Sequence, residues 1–255
     1  MIKSRLELTC LTLSSPRVLS EERLLLLADL HQQAKPEYAD MWLSLSPTAV
    51  MIAGDWLEWN DRYRGKEQSL ALLGRLAKDC PTFYALGNHE LGIRGSRSPL
   101  GKGTPNAAYQ KRAQRFAEDI ANRGAKLLCN DYVHLRSLCI GGLTPSGGST
   151  LDTAWLADMA QKDGFRLLLC HHPEYYEPYV RCYGLDLTVS GHAHGGQWRV
   201  FGCGVYAPGQ GLFPRYTSGF YDENRLLVSR GLSERMPFPR LFNKRQAILL
   251  TITPQ

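Results

Sequence analysis

Short, unbroken apolar runs alternate along this chain with longer amphipathic stretches. Residues 24–28 and 49–53 are apolar at every position, the pattern of strands covered on both faces in a parallel sheet. Residues 82–86, 166–170, 185–190, 226–229 and 247–252 predict further short strands. Near the N-terminus Leu6, Leu8 and Cys10 alternate with polar neighbours, which predicts one more. Residues 132–136 and 138–142 read as two consecutive strands.

Helical spacing governs three stretches. Residues 68–78 carry Leu70, Leu73, Leu76 and Ala77 on one side; residues 106–122 carry Tyr109, Ala113, Phe116 and Ile120, with Gly124 as the stop. Residues 150–162 open on a Ser/Thr/Asp-rich start and predict the third helix. No repeat, low-complexity segment or linker divides the chain, and 255 residues suit one α/β domain. The expected fold is a four-layer α/β/β/α sandwich, a single domain over residues 1–255, with two packed mixed sheets and helices outside them.

The polar residues that follow the strands change this picture from a fold to a chemistry. Asp29 and His31 follow 24–28, Asp55 follows 49–53, Asn88 and His89 follow 82–86, His171 follows 166–170, and His192 and His194 follow 185–190. Five of the seven histidines fall in these segments, leaving only His134 and His172 elsewhere. Loops at the carboxyl ends of strands converge in open α/β sheets, so five distant segments can meet in one place. Imidazole mixed with carboxylate suits Mn, Fe or Zn rather than Mg or Ca. Two such cations clamp both oxygens of a phosphoryl displacement and lower the pKa of bound water.

These segments, Asp29-x-His31, Gly54-Asp55, Gly87-Asn88-His89-Glu90, His171 and Gly191-His192-x-His194, resemble the motif set of the calcineurin-like metallophosphoesterases, in the family order. Gly195-Gly196-Gln197, Val228-Ser229-Arg230-Gly231-Leu232 and Arg240-Leu241-Phe242-Asn243 resemble a bacterial phosphodiesterase branch of that family. The resemblance implies that Asp29, His31 and His194 hold one divalent metal and Asn88, His171 and His192 a second, with Asp55 bridging. Manganese is favoured over Fe or Zn. His89 would assist catalysis without binding metal, and Glu90 would orient a histidine from behind. The implied reaction is hydrolysis of a phosphodiester or pyrophosphate by metal-bound hydroxide. A phosphomonoesterase and a non-catalytic binding module of the same fold are the alternatives. His172 reads as a bystander and His134 as a surface strand residue.

Composition adds boundaries. Hydrophobic residues make up 44% and charged residues 21%, and no apolar run approaches the ~18 residues of a membrane span. The N-terminal pattern reads as a strand rather than a signal core, so the expected compartment is the cytoplasm. Seven cysteines without a Cys-x-x-Cys pair fit a reducing environment, and Cys10, Cys139 and Cys170 are expected in the core. The net charge of +6 favours acidic partners, here a phosphorylated small molecule or lipid-linked substrate, with peripheral membrane contact in view. No Lys/Arg-rich arm supports nucleic acid as a partner, and nothing specifies an oligomeric state. Arg94, Arg97 and Lys102 are candidate substrate-binding residues in a Gly/Ser/Pro-rich loop. The aromatic segment 198–221, with Arg199 and Arg215, suits an acyl chain, a nucleobase or a membrane interface.

Overall fold

Two six-stranded mixed sheets stack face to face and carry helices on their outer sides. The structure is a computed structural model that describes residues 5–59, 64–93, 107–146, 151–234 and 239–255, with the backbone alone at 107–110, 112 and 113. In chain order the elements are β1 (Leu6–Ser15), β2 (Glu22–Leu27), α1 (Tyr38–Leu43), β3 (Ala49–Ala53), α2 (Lys66–Asp79), β4 (Thr82–Ala85), α3 (Asn88–Leu91) and α4 (Ala107–Ala121). Then come β5 (Lys126–Leu128), β6 (Asp131–Leu135), β7 (Leu138–Leu143), α5 (Trp155–Met159), β8 (Phe165–Cys170) and β9 (Leu187–Ser190). Two small hairpins follow, β10 (Arg199–Val200) with β11 (Cys203–Gly204) and β12 (Tyr206–Ala207) with β13 (Gly211–Leu212). The chain closes with β14 (Gly219–Tyr221), β15 (Leu226–Val228) and β16 (Arg245–Pro254).

The first sheet runs β1-β16-β2-β3-β4-β5 and the second β14-β15-β9-β8-β7-β6. Neighbours β2, β3, β4 and β5 are parallel, as are β7, β8, β9 and β15, so their carboxyl ends gather on one edge of each sheet. The unbroken apolar strands follow from burial on both faces. Leu24 and Leu26 of β2 and Met51 of β3 meet Ile140, Leu167 and Leu169 of the second sheet between the layers. Their neighbours Leu25, Leu27, Val50 and Ile52 face outward onto Trp42, Leu73 and Leu76 of the covering helices. On the far side, Leu168 and Cys170 pack against Leu156 and Met159 of α5. The expected sandwich is therefore the observed one.

Three details differ from the pattern-based reading. Cys10 is exposed, whereas Cys139 and Cys170 are buried. The alternation that marks β1 as a strand turns Leu8 and Cys10 away from the layers of this sheet edge. The helix expected over 150–162 shrinks to Trp155–Met159, because Asp152 and Thr153 favour turn conformations and the stretch after it breaks into turns before Gly164. Neither α1 nor β5 was anticipated. No helix among the described residues is long and apolar enough to cross a membrane.

Candidate metal centre

Each predicted ligand sits one or a few residues past a strand end: Asp29 past β2, Asp55 past β3, Asn88 past β4, His171 past β8 and His192 past β9. The chain turns sharply there. Asp29, His31, Asp55, His192 and His194 all hold left-handed backbone, with φ of 54°, 48°, 54°, 65° and 47°. Such conformations cost a non-glycine residue about 1 kcal/mol or more and persist only where surroundings impose them. Here cross-loop hydrogen bonds impose them: Asp29 N–H donates to Gly54 O at 3.0 Å, and His31 N–H to Asp55 O at 2.9 Å. Two glycines make the close approach possible. A Cβ on Gly54 would lie 2.6 Å from His171 Nδ1, and one on Gly87 would lie 2.1 Å from Asp55 Oδ1.

The side chains converge. His171 Nε2 is 3.0 Å, His31 Nε2 3.8 Å and His89 Nε2 3.9 Å from Asp55 Oδ2. On the other side, His194 Nε2 is 3.5 Å and His31 Nε2 3.9 Å from Asp29 Oδ1. Ligand atoms of Asp29, His31 and His194 lie within 4.8 Å of one another, as do those of Asp55, His171 and His192. Asp55 thus stands between two groups of ligand atoms.

The atoms behind these groups fix their orientation. His171 Nδ1 donates to Ala53 O at 2.7 Å, which fixes the ring with Nε2 facing Asp55. One Asp55 oxygen accepts from His89 N–H at 2.8 Å, and the Asn88 amide donates to Ile93 O at 3.0 Å, which turns its Oδ1 away from that bond. Asn243 Nδ2 donates to His194 O at 2.7 Å and steadies that loop from the C-terminal segment.

Glu58, absent from the sequence reading, joins two histidines: Oε1 lies 2.9 Å from His31 Nδ1 and Oε2 2.8 Å from His89 Nδ1. Its only advance signal was its place three residues after Asp55, which no motif marks. Glu90 was expected to orient a histidine, and it does something else. Its carboxylate accepts from the backbone N–H groups of Asp55, Trp56, Leu57 and Gly87 at 2.7–3.1 Å and from the Tyr84 hydroxyl at 2.5 Å. It therefore clamps the Asp55 turn to the start of α3, because four otherwise orphaned donors converge on its buried site.

Electrostatics sort the groups. Burial pushes Asp55 up, but the adjacent histidines, His171 first, more than offset it and hold the carboxyl well below its usual range. Burial also works against charge on His171, yet Asp55 and Asp29 raise it to about 10. His89 is 37% exposed at the mouth of the site; partial burial opposes its charge, while Asp55 and Glu58 raise it to about 9. Burial tends to raise Glu58, but its bonds to His31 and His89 bring it down to about 2. His192 and His194 are lowered well below the ordinary imidazole value by burial and by neighbouring histidines.

Four buried side-chain atoms, His31 Nε2, Asp55 Oδ2, Asn88 Oδ1 and His171 Nε2, have no hydrogen-bond partner outside this cluster, and His171 Nε2 and Asp55 Oδ2 face each other at 3.0 Å. Orphaned polar atoms in an interior are costly, and a cluster of them that are all lone-pair donors fits cations. His172 also lies closer to the chemistry than a bystander: it is buried, its ring is 4.1 Å from that of His192, and it groups with Glu174 and His192. His134 is exposed on β6, as expected. Arg94, Arg97 and Lys102 lie outside the described residues.

The comparison with known proteins follows the same lines. The family model for calcineurin-like phosphoesterases matches residues 22–196. An uncharacterized metallophosphoesterase of Campylobacter jejuni is 27% identical over 255 residues, covering 93% of this chain and 60% of that protein. The chain thus spans less than two thirds of that relative's length. Among solved structures, TT1561 of Thermus thermophilus is similar at a TM-score of 0.43 and 13% identity, covering 67% of this chain and 81% of that one. A dimetal phosphatase from Danio rerio gives 0.43 and 14%, covering 82% and 87%, and purple acid phosphatase PPD1 from yellow lupin 0.46 and 17%, covering 71% and 39%. Likenesses this distant say nothing of this chain's substrate.

Proposed function

This chain belongs to the calcineurin-like phosphoesterase family, and from that premise we propose that it hydrolyses a phosphodiester or pyrophosphate bond with the help of two divalent cations. Asp29, His31 and His194 would hold one cation, and Asn88, His171 and His192 the other, with Asp55 shared. The observation that carries this reading is the set of orphaned atoms on His31, Asp55, Asn88 and His171, all buried and all lone-pair donors. When bound, the cations supply Lewis acidity and a nucleophile at neutral pH. The mixed imidazole and carboxylate donors suit Mn, Fe or Zn, and Mn is the ion we favour.

The chain's own residues do the rest. Glu58, ionised above pH of about 2, can only accept hydrogen bonds, so Nδ1 of both His31 and His89 carries the proton. That leaves His31 Nε2 free as a ligand, whereas His89, raised to about 9, carries a second proton on Nε2 at the exposed mouth near neutral pH. A protonated His89 there would hand its proton to the leaving oxygen, or stabilise charge on the phosphoryl group. Tyr84, Glu90 and the backbone it clamps keep the Asp55 turn in register while this happens.

A diester, or a pyrophosphate substituted at both ends, carries an organic group on each side of the scissile bond, and the aromatic segment after His194 offers one of them a resting place. A nucleoside diphosphate-linked lipid fits that combination of metal site, aromatic surface and positive charge. The test compares turnover of bis-p-nitrophenyl phosphate, p-nitrophenyl phosphate and UDP-diacylglucosamine under identical metal loading. Faster turnover of the diester or the pyrophosphate supports the proposal; a preference for the simple monoester, or equally feeble rates on all three, overturns it.

A further inference from the structure

Three phenylalanines stand where neither packing nor backbone preference would place them. Phe201, Phe213 and Phe242 are 102%, 82% and 83% exposed, and each holds left-handed backbone with φ of 50°, 51° and 52°. A bulky side chain in that conformation is strained, and Gly or Asn is the usual occupant. Exposure forfeits the burial that normally rewards a phenylalanine. Both penalties recur at three separate turns.

The three turns belong to one surface. Trp198 forms a bridge with Leu241, and Arg199 N–H donates to Leu241 O at 3.0 Å, so the 241–242 turn lies beside β10. Val205 N–H donates to Trp198 O at 2.9 Å, and Phe213 N–H to Val205 O at 2.8 Å, so β13 lies on the other side. Tyr206 and Leu212 face each other across the second hairpin, both exposed, and Leu212 is 70% so. The result is a ribbon of backbone-linked turns with apolar tips.

Its charge is one-sided. Residues 196–221 and 239–246 contain no carboxylate side chain, and they carry Arg199, Arg215 and Lys244 toward the surface, with Arg240 and Arg245 buried beneath them. Lys244 and Arg215 are partnered by Glu7 and Glu177 from neighbouring elements, which tempers the field without reversing it. The ribbon is also joined to the metal-centre loop, since Arg199 Nη1 donates to Gly195 O at 2.9 Å and Asn243 Nδ2 to His194 O at 2.7 Å.

We infer that this ribbon is a membrane-docking surface whose aromatic turn tips insert into the interface of an anionic lipid bilayer. Apolar tips that project singly from separate turns suit a fluid surface, which admits each one, better than they suit a shaped protein groove. Amphipathic Trp198 and Tyr206, at 40% and 43% exposure, sit behind the tips as interfacial aromatics do. The basic, carboxylate-free ribbon complements anionic headgroups. Docking this way brings the His192–His194 loop to the bilayer surface. The inference concerns binding and does not depend on which bond the protein cleaves.

Sedimentation of the purified chain with phosphatidylcholine vesicles, with and without added phosphatidylglycerol, tests it. Wild-type protein is expected to co-sediment with the anionic vesicles, more weakly with the neutral ones, and less in high salt. The triple variant Phe201→Asn, Phe213→Asn, Phe242→Asn should bind at least about tenfold more weakly. It should also melt at the same temperature or higher, because Asn tolerates left-handed backbone better than Phe. Three results would overturn the inference: no co-sedimentation with either vesicle, undiminished binding by the triple variant, or vesicle-independent dimers that the triple variant loses.

Discussion

The Oε2 atom of Glu58 lies 2.8 Å from Nδ1 of His89, while its other oxygen holds Nδ1 of His31 at 2.9 Å. One carboxylate therefore sets the tautomer of a candidate metal ligand and of the candidate proton donor together. Replacing it by an amide, Glu58→Gln, keeps the shape and removes the charge. Outer residues of this kind typically govern metal affinity and activity by about 10–100-fold. We expect kcat to fall by about that factor with KM little changed, and the pH profile to lose the contribution of a histidine raised to about 9. Unaltered kcat and an unaltered profile would remove Glu58 from the account.

Glu90 makes a different prediction, because it serves the fold of the loop and not the ionisation of a histidine. It accepts from four backbone N–H groups and the Tyr84 hydroxyl. Glu90→Ala leaves those donors buried without partners, each costing about 1–3 kcal/mol where water cannot reach. A loss of at least about 3 kcal/mol in chemical unfolding is expected, with Glu90→Gln falling between. A loss below about 1 kcal/mol for the alanine variant would show that the clamp is dispensable.

Metal loading should respond to pH through His171, and the stability of the metal-free protein through His171 and His89 together. Without metal, their folded values of about 10 and 9 lie above the ordinary 6.5. Their stabilising contribution to the metal-free protein is thus complete below pH 6.5 and lost as the pH rises through 9 to 10. Cations compete with the same His171 proton, so apparent affinity should rise across this window and binding should release protons. Calorimetry in buffers of different ionisation enthalpy reads the released protons, and thermal melts of metal-free protein read the alkaline loss. Affinity independent of pH between 6.5 and 10 would contradict the assignment of His171.

Two glycines separate close approach from backbone freedom. Gly87→Ala drives a methyl to 2.1 Å from Asp55 Oδ1 and 2.6 Å from its backbone nitrogen, so the bridging carboxylate must move. We expect metal binding and turnover to fall by two orders of magnitude or more, on the order of 3 kcal/mol. Gly184→Ala meets open space, and its φ of 62° should cost about 1 kcal/mol of stability with turnover unchanged. Equal effects at the two positions would mean that the crowding at Gly87 is not what matters.

Much of this was legible in the chain. Continuous apolar runs located β3 to the residue and β2 to within two, because burial on both faces leaves their centres without polar positions; shorter apolar stretches placed β4, β8 and β9 to within two despite Thr82, Arg166 and Thr188. The ligand segments stood out because each interrupts such a run with Asp, Asn or His. Glu58 did not stand out, since its role comes from bridging His31 and His89, which are 58 residues apart, and no local pattern records that. Glu90 was located by its neighbours in sequence, yet its task depends on where the Asp55 turn lands in space. Cys10 misled for a related reason: an alternating strand has two faces, and sequence does not say which lies uncovered.

The central claim is that the orphaned atoms of His31, Asp55, Asn88 and His171 belong to a two-cation centre that drives hydrolysis. Metal content by mass spectrometry, paired with bis-p-nitrophenyl phosphate turnover before chelation, after chelation and after Mn²⁺ is restored, tests it most directly. The account predicts about two metal ions per chain and turnover that vanishes with the metal and returns with it. Folded protein that takes up no metal after reconstitution, or that turns over undiminished once stripped, would contradict it.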